Sequence, residues 1–157
     1  MRIGFGYDVH RLKGGRKFIL CGVEIPCEFG PDGHSDADVA LHALMDAMLG
    51  ALALGDIGAH FPDSDDRWLG ADSSELLRHV YGVVNAHGYC LGNADITIVL
   101  QSPRVSPFID EMRSKIALVL GVSVSEISVK ATTEERLGFT GSGDGVAAHA
   151  VVLLKRI

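Results

Sequence analysis

The chain has no C-x-x-C pair, and its three cysteines, Cys21, Cys27 and Cys90, are too few and odd in number for a disulfide framework. Thiolate zinc sites and disulfide scaffolds are therefore set aside, and buried free thiols are expected. It also lacks an apolar run fit to cross a bilayer. The longest, Val39 to Leu54, is interrupted by His42 and Asp46 and has the wrong length and flanks for a span or a secretion signal. The expectation is a soluble protein of the cytoplasm with no membrane partner. Basic clusters are missing too, and the net charge of −6 argues against nucleic acid and anionic lipid surfaces. An anionic small molecule stays possible, because divalent cations held by carboxylates and imidazoles invert the local field. No linker or low-complexity tract divides the sequence, so residues 1–157 are expected to form one domain with a substantial core.

What is present is concentrated in HSDADVALHALMDAMLGALALG, His34 to Gly55. Val39, Leu41, Leu44, Met45, Met48, Leu49 and Leu52 make a helix here apolar on most of its circumference. Asp38, His42 and Asp46 break that surface at intervals of four, as one stripe. Unpaired carboxylates and imidazoles cost several kcal/mol when buried, so the stripe requires polar partners, a metal or a ligand. Ser35 and Asp38 fit a capping box that starts the helix at about Asp36 and leaves His34 at its electropositive mouth, where an anion could sit.

Arg2 to His10 alternates and reads as a strand that puts Asp8 and His10 on one face, with a turn near Gly14. Lys17 to Cys21 and Val23 to Ile25 read as short strands, and Gly30 to Gly33 as the loop into the helix. Asp56 to Asp66 reads as an acid-rich loop, either solvated or covering a site. A second helix capped by Asp72 or Ser73 runs to about Ala86. Tyr89 to Gln101 contains a strand with Ala94, Ile96, Ile98 and Leu100 on one face and Asp95, Thr97 and Val99 on the other. A third helix from about Ser106 to Leu120 stops at Gly121. Ile127 to Thr133 and Val146 to Leu154 are the last strands, separated by a glycine-rich loop that permits close approach to a ligand. The order predicts an α+β fold: a small mixed or antiparallel sheet with helices packed on one face. The open face, with Thr97 and Val99, implies self-association into a closed ring or dimer.

Asp8-x-His10 and His42 supply one carboxylate and two imidazoles, a donor set suited to zinc with one tetrahedral position left over. Spacing alone leaves two readings open, satisfied core polar residues or metal ligands. Asp38 and Asp46 are placed to orient the second ring nitrogen of His42. His60, His79, His87 and His149 carry no supporting pattern and are assigned no role.

The segments GYDVHRL, GPDGHSDADVALHALMDAMLGALALGDIGAHFPDSD, GNADITIVLQSP and KATTEERLGFTGSGDG, in this order and spacing, resemble the 2-C-methyl-D-erythritol 2,4-cyclodiphosphate synthases of the non-mevalonate isoprenoid pathway. The resemblance spans nearly the whole chain. It implies a metal-assisted lyase in which the 2-phosphate of 4-diphosphocytidyl-2-C-methyl-D-erythritol 2-phosphate attacks the β-phosphorus, releasing CMP and closing a cyclic diphosphate. By the same resemblance, Asp8, His10 and His42 hold Zn2+, and Glu135 helps hold a second divalent cation, Mg2+ or Mn2+. His34 and Thr133 flank the reacting phosphate, and Ser35 and Val9 assist binding. Asp56, Ile57, Gly58, Phe61, Pro62, Asp63, Ser64 and Asp65 line the methylerythritol end. Leu100, Gln101, Ser102, Pro103, Arg104, Val105 and Ser106, with Ala131, Thr132 and Thr133, cradle cytidine from a neighbouring subunit of a homotrimer, and Glu134 is a further substrate-binding residue. Phe139 and Ser142 complete the implied set.

The chain departs from the family pattern at Glu134, where a third threonine is usual, and at Ser142 and Asp144, where arginine and glutamate are commoner. None of these touches Asp8, His10, His34, His42 or Thr133. Two other functions use the same residues: a zinc-dependent nucleotide-diphosphate hydrolase with water as nucleophile, and a non-enzymatic trimeric module that binds an isoprenoid or nucleotide.

Overall fold

In a computed structural model, which describes residues 1–62 and 64–157, the alternating opening segment forms a long strand β1, Arg2–Gly14. The elements that follow are β2 (Phe18–Leu20), β3 (Val23–Ile25), β4 (Phe29–Pro31), α1 (Val39–Ala51), α2 (Ile57–His60), α3 (Ser73–Ala86), β5 (Tyr89–Val99), α4 (Ile109–Leu120), β6 (Ile127–Thr132), α5 (Gly138–Ser142) and β7 (Gly145–Arg156). Five strands make one mixed sheet in the order β4-β1-β7-β5-β6, in which only β5 and β6 are parallel. The β2-β3 hairpin stands apart as a two-stranded sheet. The α+β expectation holds, and the short β4, α2 and α5 are additions. Each is three to five residues long, too short to show a hydrophobic period.

The central helix lies on β1, β7 and β5, with α3 packed on its outer side. Val39 to Met45, Ala47, Met48 and Leu49 are buried along it, and they meet Ile96, Ile98, Ala148, Ala150 and Val152 from the sheet. Two glycines set how closely β1 and α1 approach. A Cβ on Gly4 would stand 1.8 Å from the carbonyl oxygen of Ala47, and one on Gly6 would stand 1.9 Å from that of Ala43. Strand and helix backbones therefore touch. Alternation carries the same face of β1 onward to Asp8 and His10, which arrive at the N-terminal end of α1.

Four expectations are corrected. The helix begins at Val39, not near Asp36, because Ala37 is left-handed with φ 58° and cannot belong to a helical turn. Asp38 rather than Ser35 is the cap, accepting from the Leu41 N–H at 3.1 Å. At its other end the helix stops at Ala51, ahead of left-handed Ala53 and Gly55. Of the three free cysteines only Cys21 is fully buried.

Among the described residues no helix covers the second face of the sheet. It exposes Ile3, Phe5, Tyr7, Val9 and Val151, with His149 packed at 4.9 Å from the ring of Tyr7. Thr97 is half-buried on it, whereas Val99 is buried at the strand end. Among the described residues no helix is long and apolar enough to cross a membrane.

Candidate active site

Where β1 crosses the start of α1, Asp8 Oδ2 lies 3.0 Å from His10 Nε2 and 3.0 Å from His42 Nδ1, and the two ring nitrogens are 3.2 Å apart. Donor atoms about 2.0–2.1 Å from a tetrahedral zinc stand roughly 3.3 Å from one another, so this triangle fits that ion. Among the described residues it is the one group of three or more such side chains that could hold a metal. His10 donates from Nδ1 to the Asp32 carbonyl at 3.0 Å, which leaves its Nε2 as a bare lone pair facing the triangle.

Burial works against the Asp8 carboxylate, but the neighbouring His10 and His42 rings outweigh it and bring its pKa down to about 2. Burial likewise disfavours a charged His42, yet the Asp8 hydrogen bond and charge, with Asp38 and Asp36 behind, raise its pKa above the ordinary value. Asp8 is thus ionised at neutral pH and offers the cluster's negative charge to a cation.

Neither Asp38 nor Asp46 orients His42. The Asp38 carboxylate is taken up by the N–H groups of Cys21 at 3.0 Å, Gly22 at 2.7 Å and Leu41, and Asp46 accepts from Ile57 N–H at 2.8 Å. Instead His42 Nε2 sits 3.2 Å from Ser35 Oγ and 3.1 Å from Ser73 Oγ. Ser73 was legible from sequence only as a helix-capping residue, and nothing in its spacing points to the histidine. Arg16 is another residue that sequence reasoning missed. Its guanidinium donates to the carbonyls of Pro31 at 3.3 Å, Gly33 at 3.0 Å and Ser35 at 3.5 Å, holding the loop that carries His34 and Ser35.

A cavity of about 400 Å³ opens on the triangle, lined by Asp8, His10, Gly33, His34, Ser35, His42, Ile57, Gly58, Phe61, Trp68 and Leu76. Of the residues expected at the substrate end, Ile57, Gly58 and Phe61 line it. Asp56 caps α2 beside it, accepting from Ala59 N–H at 3.0 Å, and Asp65 pairs with Arg67. Pro62 and Ser64 are not among the lining residues, and Asp63 lies outside the described residues. Val9 turns its side chain to the open sheet face, away from Asp8 and His10. The lining residues Gly33, Trp68 and Leu76 had no sequence signal.

A second cavity, about 520 Å³, is lined by Leu100, Gln101, Pro103, Arg104, Val105, Ser106, Ala131, Thr132, Thr133 and Glu135. Thr133 and Glu135 face each other, with Oγ1 and Oε1 3.4 Å apart. Glu135 and Arg136 hold left-handed backbones, φ 52° and 67°, a costly conformation that clusters at working sites. Glu134 turns away to accept from the Thr140 hydroxyl, and Ser142 donates to Asp144 Oδ2 at 2.6 Å. Neither they, nor Ser102 and Phe139, line either cavity.

The two cavities share no residue. Asp8 is aligned with Ala148, Ala148 with Ile98, and Ile98 with Ala131, so they lie level across three strand spacings, roughly 14 Å on one chain.

The sequence profile of the YgbB family matches residues 1–155. A 2-C-methyl-D-erythritol 2,4-cyclodiphosphate synthase of Trichlorobacter lovleyi is 61% identical over 154 residues, covering 98% of this chain and 98% of its own. Among solved structures, a CDP-bound 2C-methyl-D-erythritol-2,4-cyclodiphosphate synthase superposes with TM-score 0.90 at 40% identity, covering 98% of this chain and 100% of its own. The bifunctional IspDF of Campylobacter jejuni superposes with TM-score 0.96 at 44% identity over 99% of this chain, which spans 42% of that longer polypeptide.

Proposed function

The chain belongs to the YgbB family, the 2-C-methyl-D-erythritol 2,4-cyclodiphosphate synthases, and from that membership we propose how its residues divide the work of the reaction. The activity is that of a lyase in isoprenoid precursor synthesis. In it the 2-phosphate of the CDP-linked substrate forms a P–O bond to the β-phosphorus, and the α–β bridging P–O bond breaks. CMP leaves with the electron pair, and no water is consumed. The observation that carries the assignment is the triangle of Asp8, His10 and His42 at the floor of the first cavity.

Asp8, His10 and His42 would hold Zn2+, which supplies a Lewis acid for a phosphoryl oxygen. Glu135 would help hold Mg2+ or Mn2+. The attacking phosphate is already an anion near neutral pH, so placement and charge neutralisation carry the rate and no strong general base is needed. His34 and Ser35 border the reacting group from the first cavity and Thr133 borders it from the second. The second cavity takes the cytidine end, and Ile57, Gly58 and Phe61 take the methylerythritol end.

Thr133 and Glu135 are separated from Asp8 on one chain, and the helix-free sheet face is apolar. Both features support a homotrimer in which the β6 edge of one protomer meets the β1 side of the next. Unpaired cysteines suit a reducing compartment, and the reading places the enzyme in the cytoplasm.

Phosphorus NMR of the purified protein with substrate, zinc and magnesium tests the reaction. A cyclic diphosphate plus CMP is expected without solvent oxygen, and label from heavy-oxygen water in the sugar phosphate would mean hydrolysis instead. Mixing refolded Asp8→Asn and Glu135→Gln chains tests the shared site. Each alone should keep no more than about a hundredth of wild-type turnover, while random trimers should recover about a quarter of it, since one site in four then has both halves intact. No recovery on mixing would place both halves in one protomer.

A further inference from the structure

Ser73 is fully buried at the start of α3, yet it is not the cap of that helix; Asp72 is, accepting from Ser74 N–H at 2.8 Å. Both hydrogen-bond donors of Ser73 go to Asp36 instead. Its backbone N–H donates to Oδ2 at 2.9 Å and its hydroxyl to Oδ1 at 2.5 Å. The carboxylate is itself tied down, by the Asp38 N–H at 3.2 Å and by its own backbone N–H bonding to the Ala71 carbonyl at 3.1 Å.

A hydroxyl has one proton. Committed to a carboxylate in a short charge-assisted bond, the proton of Ser73 is not free for His42. Toward Nε2 of that ring, 3.1 Å away, the Ser73 oxygen can only accept. The Ser73 oxygen therefore favours a hydrogen on Nε2, against the pull of Asp8 on Nδ1, and a neutral imidazole protonated at Nε2 has a bare lone pair on Nδ1, the atom that faces Asp8 and His10. Ser35, also near Nε2, accepts from the Ala37 N–H at 3.2 Å and has a second lone pair with which it can accept from Nε2 as Ser73 does. His10 is fixed in the same sense by a backbone carbonyl, whereas His42 depends on two side chains that substitution can alter.

We propose that Asp36 and Ser73 act as a proton-directing pair that fixes the tautomer of His42, making both of them positioning residues for the metal centre. The inference rests on the metal reading given above. It assigns a task to two residues whose sequence pattern shows only loop and helix start.

The test uses the full chain with Asp36→Asn and Ser73→Ala, measuring zinc affinity by competition with a chromophoric chelator. Nitrogen-15 shifts of the His42 ring are read in the zinc-free protein. Ser73→Ala should weaken zinc by about tenfold, and Asp36→Asn by about tenfold to a hundredfold, the usual range for partners of metal-ligating histidines. Asparagine can donate to Ser73, which then donates to the ring, so Asp36→Asn should also move the His42 proton from Nε2 to Nδ1. A merely structural role predicts lower melting temperatures with zinc affinity and ring shifts unchanged, and that result overturns the proposal. If Asp36→Asn does not fold, unchanged zinc affinity in Ser73→Ala overturns it equally. Wild-type protein that binds no zinc would count against the metal reading, and the ring shifts would still decide the pair.

Discussion

Asp8, His10 and His42 come from a strand and a helix whose backbones touch, whereas Thr133 and Glu135 stand exposed on a turn after the edge strand β6. The first group has its geometry set by core packing and by partners on every side: the Asp32 carbonyl, Ser35, Ser73 and, through the loop, Arg16. The second has mainly its own turn, with two left-handed residues and a Gln101 side chain accepting from the Arg136 N–H at 3.3 Å. A metal centre benefits from ligands that are already in place, since reorganising them would weaken binding. A half-site at a sheet edge can be completed by a neighbouring protomer. The difference predicts that damage to the two halves separates cleanly, stability and metal falling together in one and turnover alone in the other.

The largest effect is expected at Gly6. A methyl group there meets the Ala43 carbonyl, which is backbone and cannot swing aside, so Gly6→Ala must push β1 off α1. Overpacking of this kind should cost more than about 3 kcal/mol and displace Asp8 and His10 from His42. Thermal melting and zinc content should both drop. A Gly6→Ala protein with normal melting and zinc would show that the ligands are not positioned by that contact.

Next in size is the exposed half. Thr133→Ala and Glu135→Gln should each lower turnover by about a hundredfold, the scale for removing one group aimed at developing charge. Melting temperature and zinc affinity should stay at wild-type values, because neither side chain touches the core or the triangle. Zinc loss in either variant would collapse the contrast between the halves.

The same contrast explains what could be read from the sequence. Asp8 and His10 were legible because the alternation of β1 puts both on one face, and His42 because it interrupts an otherwise apolar helix. The glycines beneath them were not legible as packing determinants, since close approach of two backbones leaves no pattern in either segment. Ser73 and Arg16 act across loops, at distances in sequence that spacing rules do not reach. The second cavity was assigned through family resemblance and not through periodicity. Its residues lie in the loop after β5, at the end of β6 and in the turn beyond, and in that turn Glu134, marked as a departure from the family pattern, proves to face Thr140. The expected helix start at Asp36 failed because capping patterns do not foresee a left-handed Ala37.

The smallest effect tests the buried half through pH. Burial and the neighbouring Asp36 charge push the Asp38 pKa up from 3.8 to about 6, only partly offset by the N–H groups of Gly22, Leu41 and Cys21. Between these two values the native protein binds more protons than the unfolded chain, so this group's contribution to stability is present at acid pH and is lost as pH rises through about 6. Asp38→Asn cannot titrate. The gap in unfolding free energy between wild type and Asp38→Asn should therefore shrink by about 2 kcal/mol from about pH 4.5 to about pH 6.5. Denaturant unfolding at the two pH values measures it, and Thr133→Ala serves as the control whose gap stays constant. A gap that is constant or widens for Asp38→Asn would mean that the carboxylate pinning the β2-β3 turn to α1 is ionised throughout, held by its three N–H partners more strongly than burial opposes it.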